Sequence, residues 1–257
     1  MNSMHKDTIP TPAEPIRTLS LSFDLPIYSR QIPQWRGAFI ELAGFADDLF
    51  HNHDNAKDGY RYRYPLIQYR MRKGKAAIMA INEGVDALQR VLASTDWKIN
   101  WEGKPLALKI EGLHMDEHYL RMLAQPKQYK LYKWLALNQE NYERWQQCRN
   151  LAERSALLEN ILAGQILGFC TAMGYRLPER LEANLQHLQF MQQVRTFGNP
   201  MIAFNVSYDA NVLLPAHIGL GRSVSHGFGW QVPENQKNRK PYRAENKEPA
   251  SEQTSKP

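Results

Sequence analysis

The run Thr18-Leu-Ser-Leu-Ser-Phe-Asp-Leu25 alternates strictly, with Leu19, Leu21, Phe23 and Leu25 on one face and Thr18, Ser20, Ser22 and Asp24 on the other. Period two predicts a half-buried strand. From Ser29 the period changes. Ile32, Trp35, Phe39, Leu42 and Phe45 recur at helical spacing, with Ser29 as a cap and Pro33 in the first turn. This helix is expected to end near Asp47 to His51. A polar loop follows to Gly59, and Tyr60 to Arg72 alternates again, with Tyr60, Tyr62 and Tyr64 set against Arg61 and Arg63. Lys73-Gly74-Lys75 reads as a tight turn and Ala76 to Ile81 as a returning strand. Glu83 to Leu92 reads as a helix with Val85, Leu88, Val91 and Leu92 inward, and Leu106 to Leu113 as a closing strand.

The order β-α-β-β-α-β is the ferredoxin-like arrangement, which RNA-recognition modules also use. A second unit begins with a strand at Gln128 to Leu137. It continues through a mostly helical stretch, Gln139 to Gly174, and a hairpin, Leu185 to Gln193 with Met201 to Ser207. Asn211 to Leu214 adds an extended piece. The expected class is α+β: two tandem ferredoxin-like, RRM-like domains, with a helical insertion in the second. The domains are expected at residues 16–118 and 119–233. Residues 1–15 carry Pro10, Pro12 and Pro15 and read as a flexible lead-in. Residues 234–257 are rich in Pro, Glu, Lys and Ser without periodicity and read as a disordered tail.

The chain has 257 residues, enough to bury a real core, and a net charge of +6, which favours an anionic partner. Cys148 and Cys170 form no C-x-x-C pair, so a reducing cytoplasm is the expected compartment. No apolar run suggests a membrane span and no signal-peptide segment is evident, so no membrane partner is expected.

Chemistry is suggested in three places. The first is His217-Ile-Gly-Leu-Gly-Arg-Ser-Val-Ser-His-Gly-Phe-Gly-Trp230, where Gly219, Gly221, Gly227 and Gly229 form two Gly-x-Gly pairs around Arg222, Ser223, Ser225 and His226. Glycines let backbone N–H groups approach a ligand, and an arginine with hydroxyls suits phosphate oxygens. Val224 stands where a dinucleotide fingerprint needs its third glycine, and no Gly-Lys-Ser/Thr makes a Walker loop. The second place is His51-Asn52-His53 with Lys57, a group that could move protons and offset phosphorane charge without a metal. The third is the basic segment with Arg61, Arg63, Arg70, Arg72, Lys73 and Lys75, a candidate phosphate-tracking surface with tyrosines for base stacking. His114 and His118 are four apart but have no third ligand at a recognisable spacing.

Gly219-Leu-Gly-Arg-Ser-Val-Ser-His-Gly-Phe-Gly229 closely resembles the C-terminal glycine-rich loop of the CRISPR-associated endoribonucleases that cut repeat RNA into guide RNAs, members of the RAMP superfamily. Phe50-His-Asn-His53, Tyr62-Arg-Tyr-Pro-Leu-Ile-Gln-Tyr69 and Ile81-Asn-Glu-Gly84 are similar to the N-terminal half of a subgroup of these enzymes. The resemblance implies metal-independent cleavage without a cofactor, leaving a 2′,3′-cyclic phosphate and a 5′-hydroxyl. It also implies that a histidine after the first helix, His51 or His53, moves protons, and that a lysine, Lys57, lies downstream. The family's helix tyrosine has no match, since Phe39 occupies the nearest place. By the same resemblance, Arg222, Ser223, Ser225 and His226 would hold RNA backbone.

The expected partner is CRISPR repeat RNA or precursor guide RNA; other effector subunits and a second copy of the chain are left open. One rival reading is a non-catalytic RNA-binding subunit. Others are a metal-dependent nuclease around Asp47, Asp48 and Asp54, and a dimeric scaffold with no RNA role. A phosphate-dominated interface predicts that affinity for repeat RNA falls steeply between roughly 50 and 200 mM salt. Titrations at both concentrations check this, and a flat dependence would exclude such an interface.

Overall fold

The computed structural model describes residues 14–44, 48–51, 64–94, 96–196 and 198–234. The lead-in to residue 13, the tail from residue 235 and the candidates His53, Lys57, Arg61 and Arg63 lie outside the described residues, as do Asp47 and Asp54.

The first unit contains β1 (Ile16–Pro26), α1 (Ile32–Ala43), α2 (Asp48–His51), β2 (Ile67–Arg72), β3 (Lys75–Ile81), α3 (Glu83–Ser94), β4 (Lys98–Trp101), β5 (Lys104–Ala107) and β6 (Ile110–His118). Its sheet has the order β2-β3-β1-β6, and β4 and β5 pair apart from it. The second unit contains β7 (Arg121–Trp134), α4 (Gln139–Gln147), α5 (Leu151–Ala172), β8 (Ala183–Thr196), β9 (Asn199–Leu213) and β10 (Trp230–Pro233), with sheet order β10-β7-β9-β8. Each order is the ferredoxin-like one: the first and third strands of the unit in the middle, the fourth and second at the edges. All ladder neighbours run antiparallel.

Local chemistry explains where the elements stop. Helix α1 ends at Ala43, short of the expected Asp47 to His51, because Gly44 turns the backbone to φ 75° and donates its N–H to Glu41 O. Between β2 and β3, Lys73 and Gly74 both take positive φ, the geometry of a two-residue hairpin turn. The strand expected over Leu106 to Leu113 is two pieces. A second hairpin turn at Glu102 (φ 53°) and Gly103 (φ 79°) pairs β4 with β5, and β6 is the strand that closes the sheet. The side chains of Asn138 and Asn150 accept from Asn141 N and Glu153 N and so start α4 and α5.

The alternation of β1 and β3 serves two cores. Leu19, Leu21 and Phe23 meet Trp35 and Phe39 of α1 and Ile78 of β3 in the first unit's own core. Ile16, Met79 and Ile81 point the other way and join a core shared with Trp134, Leu162, Phe169 and Phe204 of the second unit. The two sheets are thus fused through buried apolar surface rather than tethered. Helix α5 is long and apolar enough to cross a membrane by length and composition. Its Leu157, Leu158, Leu162, Ile166, Phe169 and Cys170 are buried, as in a core helix.

Helices α4 and α5 form the first crossover of the second unit, in the stretch where an insertion was expected. Between β9 and β10, where a second helix would lie, runs the glycine-rich loop with a single 3-10 turn, Val224–His226. Its glycines are required by neighbouring protein atoms. A Cβ on Gly229 would stand 1.8 Å from Leu220 O, at φ +65°, and one on Gly227 would stand 2.6 Å from Ile32 Cδ1, at φ +83°. Gly164 in α5 has nothing within 4 Å. Gly229→Ala is therefore expected to lower the denaturation midpoint sharply, by about 3 kcal/mol or more in stability, since backbone must move. Gly164→Ala is expected to leave stability unchanged or raise it by up to about 1 kcal/mol. Paired urea titrations measure both.

Candidate nucleic-acid interface at the domain junction

The glycine-rich loop is fastened to β2 across the junction. Tyr64 Oη donates to Gly219 O at 2.8 Å and accepts from Gln68 Nε2 at 2.9 Å. Arg70 Nη1 donates to His217 O at 2.6 Å, and Nη2 donates to Gln68 Oε1 at 2.7 Å. Arg70 is 7% exposed. Burial lowers its pKa to about 10, which leaves the guanidinium charged at neutral pH. Arg70 was expected on a phosphate-tracking surface. The structure puts it inside, because the open face of the first sheet receives the loop and a backbone carbonyl takes its charge. Arg72 is half-buried at the end of the same strand.

Within the loop, Leu220 N donates to Gly229 O, Arg222 N to Leu135 O, Gly229 N to Lys133 O and Gln231 N to Ile218 O. Gly219 packs against Val224 and Gln68, and Gly221 against Trp134. The glycines were expected to let backbone approach a ligand; they let the loop seat between the two units. Arg222 is exposed. Ser223 beside it holds a left-handed conformation, φ 54°. Ser225 is buried, with Oγ 3.1 Å from His226 Nδ1.

The 3-10 turn packs on β2 and α1, and the charge of Arg36 in α1 acts on His226. Arg36 Nη2 donates to the carbonyl of His51, in α2, at 2.6 Å. One guanidinium therefore holds the backbone of the candidate catalytic histidine, and its charge reaches the loop histidine. Burial, and then the Arg36 charge, push the pKa of His226 down to about 4. At neutral pH His226 is uncharged and offers hydrogen bonds rather than a cation. His217 is pushed down to about 4 by burial, with Arg72 and Arg70 adding to it. Trp230 Nε1 donates to its Nδ1 at 3.1 Å, which fits a neutral ring.

Lys133 completes this edge. A register shift between Leu131 and Trp134 bulges β7, and Lys133 sits there at φ 49°. Its N–H donates to Asn205 Oδ1, its carbonyl takes the Gly229 N–H, and its ammonium donates to Ser29 Oγ at 2.8 Å. Burial lowers its pKa.

The junction thus assembles His51, His226, Ser225, Arg222 and the loop glycines, and it excludes Arg70 from the surface. Arg36 and Lys133 were not anticipated. The signal for Lys133 is the spacing Tyr129, Leu131, Trp134: two residues, then three, which no regular strand buries on one face. Arg36 gives no such signal. His114 pairs with Asp116 at 2.8 Å, and His118 Nε2 lies 3.3 Å from Thr18 Oγ1. Among the described residues no three His, Cys, Asp or Glu side chains gather as a metal site.

Both lowered histidines carry a sign. Above about pH 6.5 they are neutral folded and unfolded alike. As pH falls towards 4, the unfolded chain binds protons that the folded chain refuses, so stability falls. The thermal midpoint should drop by several degrees between pH 6.5 and 4.5. The drop should be smaller in the His217→Gln/His226→Gln double variant; equal drops would contradict the assignment.

The family model described as the Cas6b N-terminal domain matches residues 14–119, and that described as the Cas6b C-terminal domain matches residues 121–233. A structure titled "Crystal structure of Cas6b" superposes with a TM-score of 0.76 at 23% identity, over 86% of this chain and 100% of that one. A second, a "CRISPR RNA processing endoribonuclease Cas6b", gives 0.65 at 22% identity, over 86% and 100%. An uncharacterized protein of Methanocaldococcus jannaschii is 36% identical over 97 residues, which are 37% of this chain and 64% of that protein. The two matched domain models, end to end over the paired sheets, make this chain a member of the Cas6b family.

Proposed function

We propose that the chain binds CRISPR repeat RNA and cleaves it as a metal-independent endoribonuclease, generating guide RNAs. The observation that carries this reading is that Arg36 holds the His51 carbonyl while its charge acts on His226, across the junction of the two units. In this mechanism the 2′-oxygen attacks the adjacent phosphorus while the P–O5′ bond breaks. The products are a 2′,3′-cyclic phosphate and a 5′-hydroxyl. His51 or His53 moves the proton, and Lys57 offsets negative charge on the phosphorane. Arg222 and the hydroxyl of Ser223 hold the RNA backbone beside the cut, and His226 contributes as a neutral hydrogen-bonding group. Fixing the 2′-oxygen in line with the leaving oxygen supplies much of the rate. The reaction belongs to the cytoplasm, and its product passes to the other subunits of an interference complex. Family membership supports the substrate class.

The test is cleavage of the host's own repeat RNA in excess EDTA, by wild type, His51→Ala and His53→Ala, with a 2′-deoxy substitution at the cut site as a further arm. The expected result is cutting by wild type, a cyclic phosphate product and abolition by the deoxy substitution. One histidine variant should lose at least about 100-fold. Cutting only with Mg²⁺ would overturn the mechanism. Tight binding without cutting would replace it with an RNA-binding subunit.

A further inference from the structure

Arg36 is a half-buried cation, and among the described residues no carboxylate answers its charge. Its Nη2 donates to the His51 carbonyl and its guanidinium lies 5.9 Å from the Tyr69 ring centroid. Its Nε–H is buried and has no acceptor among the described residues. Nor does any described carboxylate come within ion-pair distance of it. Some described cations find acids, while Arg70 and Lys133 bond to a carbonyl and a hydroxyl. Arg17 is bidentate to Asp86, and Lys130 pairs with Glu234. Withdrawing a guanidinium from water without an anion is unfavourable, and burial duly lowers its pKa. A charge kept this way at a junction of two candidate catalytic elements suits an anion that arrives from outside.

We infer that Arg36 binds the scissile phosphate, setting its guanidinium charge against the non-bridging oxygens between His51 and the 3-10 turn that carries His226. This rests on the endoribonuclease reading and deepens it. As O2′ loses its proton to a histidine and bonds to phosphorus, the phosphorane gains a second negative charge. Arg36 meets that charge, and it is relieved when the P–O5′ bond breaks and O5′ takes a proton. Because the guanidinium also holds the His51 carbonyl, it ties the position of α2 to the position of the phosphate. Arg36 is by this account a catalytic residue, touching the reacting group rather than acting through another.

The experiment compares wild type, Arg36→Gln and Arg36→Lys in two readouts. One is single-turnover cleavage of repeat RNA in EDTA. The other is the salt dependence of binding to the same RNA made uncleavable by a 2′-deoxy substitution at the cut site. Arg36→Gln is expected to slow cleavage at least about 100-fold. It should also lower the salt slope by about 0.7, the loss of one phosphate contact on a single strand. Arg36→Lys keeps the charge and is expected to restore the slope and part of the rate. Two results would overturn the proposal: Arg36→Gln within threefold of wild type, or equal losses in both variants with the slope unchanged, the signature of a purely structural role. Failure of wild type to cut would refute the endoribonuclease reading, and the salt slope would still decide the phosphate contact. Should Arg36→Gln fail to fold, Arg36→Lys decides alone: a wild-type slope with a reduced rate agrees with the proposal, and a lowered slope contradicts it.

Discussion

The hydrogen bond from the buried Arg70 guanidinium to the carbonyl of His217, seconded by Tyr64 on Gly219, is the constraint on which the rest depends. It joins the second strand of the first unit to the start of the glycine-rich loop of the second. A charged donor out of water makes a strong bond to a carbonyl, and breaking it would leave both groups buried and unpaired. With the loop pinned there, Gly227 can press on Ile32 and the 3-10 turn can rest on α1. Only then does the charge of Arg36, which holds the carbonyl of His51, act on His226. The candidate site is a product of the way two ferredoxin-like units are clamped, and neither unit contains it alone.

Charge follows the same line. The described carboxylates that form ion pairs, Asp86, Asp96, Glu111, Asp116 and Glu234, serve partners away from Arg36 and Lys133. The junction keeps Arg36 and Lys133 with hydroxyl, carbonyl and aromatic neighbours, and the loop leaves Arg222 exposed. Such an arrangement raises the local potential where a phosphodiester would lie, and low surrounding dielectric strengthens its effect on charge that develops during reaction. Burial leads in lowering the pKa of both His217 and His226; Arg72 and Arg70 add to the first and Arg36 to the second. His217 and Ser223, both non-glycine residues at positive φ, add backbone strain at the two ends of this stretch.

Much of the fold was readable from periodicity. The alternation from Thr18 to Leu25 and the helical spacing of Ile32, Trp35 and Phe39 place β1 and α1, and Phe23 meets Trp35 at 5.0 Å between ring centroids. What escaped was set by single residues or by distant ones. Gly44 stops a helix whose apolar pattern runs on to Phe45. The run from Leu106 to Leu113 alternates as if it were one strand, yet it breaks at Leu108 and Lys109, because its first part folds back on β4. The glycine-rich loop was legible as the important segment, yet composition could not say what its glycines approach; here they approach Ile32, Trp134 and Leu220. Arg70 looked like part of a basic surface because its neighbours Arg72 and Lys73 are basic, whereas its carbonyl acceptor lies 147 residues away. No local pattern encodes such a pairing. Arg36 is hidden for the same reason.

The central claim is that the scissile phosphate lies at the clamp between the units, against Arg36. A crystal structure of the full chain with repeat RNA carrying a 2′-deoxy substitution at the cut site tests it most directly. The account predicts that phosphate within hydrogen-bond distance of Arg36, with His51 and His226 on either side and Arg222 on the flanking backbone. A phosphate at the cut site seated instead in the groove of about 510 Å³ lined by His118, Tyr119, Arg121 and Lys127, touching neither Arg36 nor the glycine-rich loop, would contradict it.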